Sequence, residues 1–183
     1  MRASAGLHLE YVSLAEYQAA RWRDVLGVAT FNGAADSPTA AAEIPVAQVS
    51  TPVLPGSGQV YEVWRCDTPA TSGQRQRVRF RSNSDMLFGC IAVTEAPACH
   101  LPAGGGPQHS ALHQATTQAY RQICATLAAE GYPHLLRVWN YLPDINRDSH
   151  GTERYRQFNS ARQQVLRECG RALTGKEIGR AHV

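Results

Sequence analysis

Arg154 and Tyr155 open the last helical stretch of this 183-residue chain, and Asn140, Tyr141 and Asn146 stand just before it. A guanidinium grips a planar carboxylate through two parallel hydrogen bonds; a phenol adds a donor and a carboxamide orients what is held. These are the groups of a pocket for a small, flat anion. At about 100° per residue, Tyr155, Phe158, Arg162, Val165 and Cys169 define one stripe facing the protein. Arg154 lies about 60° from its centre and Arg156 nearly opposite, in solvent. An arginine in a first helical turn opposes the helix dipole, and at the margin of a core face its charge needs a partner. That partner is either a structural carboxylate such as Asp144 or the carboxylate of a ligand. Asn140 ends the apolar face Leu136, Val138, Asn140, with Arg137, Trp139 and Tyr141 on the other side. There it either caps a turn or orients a ligand.

Other candidate motifs carry less chemistry. Gly104-Gly105-Gly106 lacks the GK[ST] ending of a phosphate-cradling loop. His109 and His113 are four residues apart, but neither an HExxH pattern nor a third ligand at useful spacing accompanies them, so no metal is expected. Cys99 and His100 are adjacent in sequence, which says little about a dyad assembled in space. The arginines between Arg75 and Arg81 read as a solvated face, with contact to an RNA backbone as the alternative.

The elements that must position the site follow from periodicity and punctuation. Leu14 to Leu26 reads as a helix. Residues 31–58 are rich in Ala, Gly, Pro and Ser, and within them Ile44 to Leu54 reads as extended and confined to an edge by its prolines. Val60 to Cys66 and Arg77 to Arg81 alternate as strands, the second with one wet face. Asp67 to Gly73 reads as a loop. The continuous apolar run Met86 to Val93 predicts a central strand, forming a hairpin with 77–81. Ser110 caps a helix with an apolar stripe through Leu112, Ala115, Ala119, Ile123 and Leu127, beside Tyr120, ending at a left-handed Gly131. His134 to Tyr141 predicts a buried strand stopped by Pro143, and a second helix runs from about Thr152 to Cys169.

Composition bounds the class. A net charge of +3 argues for neither nucleic acid nor an anionic membrane as partner. Lys176 is the only lysine, so nearly all the positive charge is arginine. The five cysteines form no CxxC pair and read as reduced thiols of a cytoplasmic protein. Neither a secretory h-region nor an apolar span is evident.

Four blocks, Tyr61-Glu-Val-Trp-Arg65, Met86-Leu-Phe-Gly89, Leu136-Arg-Val-Trp-Asn-Tyr-Leu-Pro-Asp-Ile-Asn146 and Glu153-Arg-Tyr-Arg-Gln-Phe-Asn159, closely resemble those of the chorismatases, or chorismate hydrolases. The resemblance implies an α+β, YjgF/RidA-like (chorismate-mutase-like) mixed sheet packed on two helices. It implies hydrolytic cleavage of the enolpyruvyl ether of chorismate to pyruvate and a dihydroxycyclohexadiene carboxylate or 3-hydroxybenzoate, with no cofactor. It also implies a monomer or a trimer with chorismate as the partner, while the charge and composition above leave neither nucleic acid nor membrane expected. Carried over by motif, Arg154 and Tyr155 would bind a substrate carboxylate, while Asn140, Tyr141 and Asn146 would line the same pocket. Ala161 stands where the family often has glycine. The family's catalytic glutamate belongs to a second half with no counterpart here, so the chain is expected to be an N-terminal part, inactive alone. Residues 1–56 are expected to form an extension, 57–174 the YjgF/RidA-like domain, and 175–183 a non-native tail resembling translated adapter sequence. The alternatives are a noncatalytic YjgF/RidA-like binding or assembly module and, more weakly, an imine deaminase of the same superfamily.

Overall fold

In a computed structural model of the protein the described residues are 6–19, 22–31, 43–50, 60–97 and 106–170. The predictions for Cys99-His100, for residues 51–58, for most of the triple glycine and for the 175–183 tail fall outside them. The chain divides into two compact units, Met1–Ile91 and Ala92–Val183. The expected domain of residues 57–174 spans that boundary. Both units mix helix and strand, giving an α+β protein with several small sheets and few helices.

The first unit carries a four-stranded sheet ordered β1-β4-β2-β3, from β1 (Leu7–Ser13), β2 (Val25–Phe31), β3 (Val46–Val49) and β4 (Val60–Cys66). β1 and β2 each run antiparallel to β4, in register from Leu7 opposite Cys66 to Ser13 opposite Val60 on the β1 side. β3 is parallel to β2 and lies at the edge, as its flanking proline predicts. The helix expected over Leu14 to Leu26 ends at Ala19 as α1 (Leu14–Ala19). Val25 and Leu26 instead begin β2, because Val25-Leu-Gly-Val-Ala-Thr-Phe31 is the apolar run of a strand buried on both faces. Gly27 shows how tightly it is packed: a Cβ there would stand 2.1 Å from the Phe88 ring. Ser13 and Glu16 form a capping box at the start of α1, with Ser13 N–H donating to Glu16 Oε2 at 2.8 Å and Glu16 N–H to Ser13 Oγ at 3.4 Å. That cap delivers Tyr17 into a core of Val25, Val28, Ile44, Tyr61 and Val63, stacked on Tyr61 at 4.2 Å.

A second sheet is the meander β5 (Thr71–Arg75), β6 (Val78–Ser82), β7 (Leu87–Cys90). The stretch predicted as loop to Gly73 thus already contains a strand. The predicted hairpin is present as β6–β7. Yet β7 covers only Leu87–Cys90 of Met86 to Val93 and, among the described residues, is an edge strand paired with β6. The wet face of β6 is only partly wet. Arg75, Arg77 and Arg79 are exposed, whereas Arg81 is buried. Its guanidinium donates to the carbonyls of Trp22, Val25 and Ala70, closing the turn into β2.

The second unit is built on α2 (Ala111–Ala129) and α3 (Arg154–Glu168). Ser110 caps α2 as expected, its Oγ accepting from His113 N–H at 3.1 Å. Gly131, at φ +80°, ends it. Tyr132 N–H donates to Leu127 O and Gly131 N–H to Ala128 O, the paired bonds of a Schellman motif. The buried line of α2 is Leu112, Thr116, Tyr120, Cys124 and Leu127. Ala115, Ala119 and Ile123 are half-buried, so the packed face lies one residue on from the predicted stripe. Polar Thr116 lies on that packed face, which a stripe drawn through apolar residues omits. On α3, Phe158, Ala161, Arg162 and Val165 are buried, while Tyr155 and Cys169 at the stripe's ends are exposed.

Residues 132–142 contain no assigned strand, contrary to the expectation for His134 to Tyr141. Among the described residues of this unit the strands are the two-residue β8 (Asp148–Ser149) and β9 (Thr152–Glu153), paired with each other. Their turn, His150-Gly151 with φ of +53° and +77°, is the left-handed pair of a type I′ hairpin. Among the described residues no helix is long and apolar enough to cross a membrane.

Candidate functional site

A turn and a hairpin set the start of α3. Arg154 N–H donates to Arg147 O at 3.0 Å and Tyr155 N–H to Ile145 O at 2.9 Å, so loop carbonyls satisfy donors a helix start leaves open. Ile145 is buried and anchors the loop, in which Asp144 adopts φ +52°. Gln157 Nε2 reaches back to Ser149 O, Ser149 Oγ and Thr152 O at 2.7 to 3.1 Å, tying the β8–β9 hairpin to the first turn of α3. Arg154 is therefore mounted on a braced frame rather than a loose loop.

Its guanidinium has a partner that neither sequence alternative named. Glu95 accepts from Arg154 Nη1 at 3.1 Å and from Nη2 at 2.5 Å, a two-pronged pair, while Nε donates to Pro143 O at 3.3 Å. The Glu95 hydrogen bonds, set against the opposing effect of burial, push the Arg154 pKa above its ordinary range. Asp144 instead pairs with Arg147 at 3.5 Å. Glu95 was not visible as a candidate because 59 residues separate it from Arg154. A lone carboxylate just after an apolar run was the one local hint.

The other expected residues fall into two groups. Tyr155 is exposed, and Asn146 lies exposed in the 143–146 turn that its neighbours tie to α3. Asn140 belongs to a different neighbourhood, where its Oδ1 accepts from the Tyr120 hydroxyl of α2 at 2.8 Å. Its Nδ2 is buried without a hydrogen-bond partner. Tyr141 is half-buried. Around Asn140 lie Leu135, Val138 and Leu142, packed on Leu112, Tyr120, Phe158, Val165 and Leu166. Burial drives the Tyr120 pKa up, partly offset by the positive charge of Arg162 and by hydrogen bonding with Asn140 and Arg162. Sequence reading placed Arg162 on the core face without assigning it a role. Among the described residues no group of three or more His, Cys, Asp or Glu side chains is placed to hold a metal ion.

The arrangement therefore offers two guanidinium centres in the second unit, one engaged by a carboxylate and one set among apolar side chains. Residues 62–178 match the family described as chorismatase FkbO/Hyg5-like, N-terminal. The chain is 28% identical over 148 residues to the 3-hydroxybenzoate synthase of Streptomyces hygroscopicus, covering 80% of this chain and 39% of the relative. A chorismatase of Streptomyces rapamycinicus is 32% identical over 106 residues, covering 57% of this chain and 28% of the relative. A chorismatase crystal structure superposes with a TM-score of 0.71 at 24% identity, covering 92% of this chain and 47% of that one, a likeness of fold. The chain thus spans less than half the length of each of these relatives. With 62–178 matched, more than half of its residues, the chain belongs to the FkbO/Hyg5-like chorismatase family, matching its N-terminal region.

Proposed function

We propose that this chain serves a chorismate-cleaving enzyme, binding the substrate through one carboxylate at Arg154. Chorismate is a dianion with an enol ether. Protonation of its vinyl carbon gives an oxocarbenium-like centre. Water adds there and the hemiketal collapses to pyruvate and a dihydroxycyclohexadiene carboxylate; in the other branch the neighbouring ring hydroxyl displaces the activated ether at its ring carbon, pyruvate leaves, and the epoxide formed isomerises to 3-hydroxybenzoate. Family membership supports the reading, and so do the names of the relatives, one a 3-hydroxybenzoate synthase and the other a chorismatase. The single structural observation that carries it is the two-pronged grip of Arg154 on the Glu95 carboxylate. A guanidinium braced to hold a side-chain carboxylate with both nitrogens can hold a substrate carboxylate the same way. Tyr155, Asn140, Tyr141 and Asn146 complete the proposed substrate-binding set. No acid of this chain is assigned the protonation step, which falls to the remainder of the longer family architecture.

The same pair favours a second reading. If Glu95 never releases Arg154, the chain is a noncatalytic binding or assembly module. We extend the fold class to YjgF/RidA-like and the location to the cytoplasm, the latter supported by free thiols at Cys66, Cys90, Cys124 and Cys169. Calorimetric titration of chorismate into the wild-type chain and Arg154→Ala tests the reading. Binding that weakens at least tenfold in the variant supports it, and equal affinity removes Arg154 from the pocket.

A further inference from the structure

Two buried arginines of this chain show what a structural arginine looks like and what one without that role looks like. Arg81 is 7% exposed, and although its Nε is unmet its terminal nitrogens donate to three backbone carbonyls, which is the difference from Arg162. Arg162 is 8% exposed and forms no ion pair among the described residues. Its Nε is buried without a hydrogen-bond partner. Its surroundings are the Phe158 ring, 5.2 Å from the guanidinium carbon to the centroid, and the phenol of Tyr120. A cation enclosed by aromatic and aliphatic side chains is costly unless an anion completes it.

The neighbouring polar groups share this incompleteness. Tyr120 links Arg162 to Asn140, whose Nδ2 donor is also buried and unmet. Asn159, three residues before Arg162 and so adjacent on the helix surface, leaves a buried Oδ1 acceptor unmet. The cluster therefore offers one positive charge, two unused N–H donors and one unused acceptor, beside an aromatic ring. Two donors and a charge suit a carboxylate, and the acceptor suits a hydroxyl on the same small molecule.

We infer that Arg162, Tyr120, Asn140 and Asn159 form a second carboxylate site, which takes the other carboxylate of a hydroxylated ring dianion. Identifying that dianion with the proposed substrate rests on the preceding reading; the carboxylate site itself does not. Arg154 and Arg162 stand eight residues apart on α3, two turns and about 12 Å along its axis. Each guanidinium would answer one charge of a substrate carrying two, so Asn140 joins the binding set through Arg162 rather than through Arg154.

Arginine Nε–H resonances of the labelled 183-residue chain test this at atomic level, with Arg162→Lys and Arg154→Lys identifying the two signals. Benzoate is the probe and benzamide its neutral counterpart. The Arg162 Nε–H signal is expected to shift and saturate with benzoate and to stay still with benzamide. An unmoved signal, or equal movement with both, overturns the site. Chorismate affinity is expected to fall at least tenfold in Arg162→Gln. Chorismate binding that depends on Arg154 but is unchanged in Arg162→Gln overturns the inference and leaves the proposed function standing. A benzoate response at Arg162 in a chain that does not bind chorismate supports the carboxylate site and removes the substrate reading.

Discussion

Glu95→Ala separates what Arg154 does for the fold from what it does for a ligand. The two side chains are 13% and 29% exposed, Arg154 being the more enclosed. Exposed ion pairs contribute about 0–1 kcal/mol, and removing one partner of a fully buried pair costs about 3–5 kcal/mol. This pair has good two-pronged geometry but partial access to water, which places its loss at about 1–2 kcal/mol. In a chain of this size that lowers the melting temperature by about 2–8 °C. The same free energy opposes any ligand that must draw Arg154 away from Glu95. Removing the competitor should therefore tighten chorismate binding by about 5- to 30-fold, at 1.4 kcal/mol per factor of ten. Thermal denaturation followed by circular dichroism measures the first effect and calorimetric titration the second. A variant that melts lower, yet binds chorismate no more tightly than wild type, would refute the competition. The Arg154 pKa is raised, so stability owed to its charge is fully present below the ordinary guanidinium range and lost only above it. The wild-type minus variant difference should accordingly not change through loss of the Arg154 charge anywhere near neutral pH.

Three further outcomes follow from the fold. Ser110→Ala removes the side-chain acceptor for His113 N–H and should cost about 1 kcal/mol in a denaturant melt, with Ser110→Asp restoring most of it. Gly27→Ala places a methyl against the Phe88 ring and should cost about 1–3 kcal/mol, with Phe88→Leu recovering part of the loss in a double-mutant cycle. Burial, reinforced by the neighbouring Tyr61, pushes the Tyr17 pKa up to about 12. The folded state holds that proton more tightly than the unfolded chain, so stability is fully present below about pH 10 and declines as pH rises from there towards 12. Tyr17→Phe should flatten that decline in urea melts run across the range.

Local patterns made much of the skeleton legible. Strict alternation identified β4 and β6, and Ser110 and Gly131 marked both ends of α2, because strand faces and helix caps are written in adjacent residues. The readings failed where a distant neighbour decides the outcome. The helix expected over Leu14 to Leu26 takes in Val25 and Leu26, although the place of Val25 to Phe31 between β3 and β4 makes it the buried centre of the sheet. Met86 to Val93 looked central by hydrophobicity alone, but a strand's neighbours, not its composition, make it central. The apolar alternation of His134 to Tyr141 predicts a strand, whereas these residues are irregular. Arg81 was read with its solvated neighbours, since nothing local announces three backbone carbonyls waiting for it. In the candidate site, periodicity correctly put Arg162 in the core and Arg154 at its margin. The partners remained hidden, because the Arg154 pair with Glu95 and the Tyr120 bond to Asn140 join residues 59 and 20 positions apart.

The most direct test is a crystal structure of the chain with chorismate bound. The account predicts one carboxylate within hydrogen-bonding distance of both terminal nitrogens of Arg154, with Glu95 displaced from the position where it now pairs at 2.5 Å. Chorismate bound elsewhere, with the Arg154–Glu95 pair intact, would contradict it.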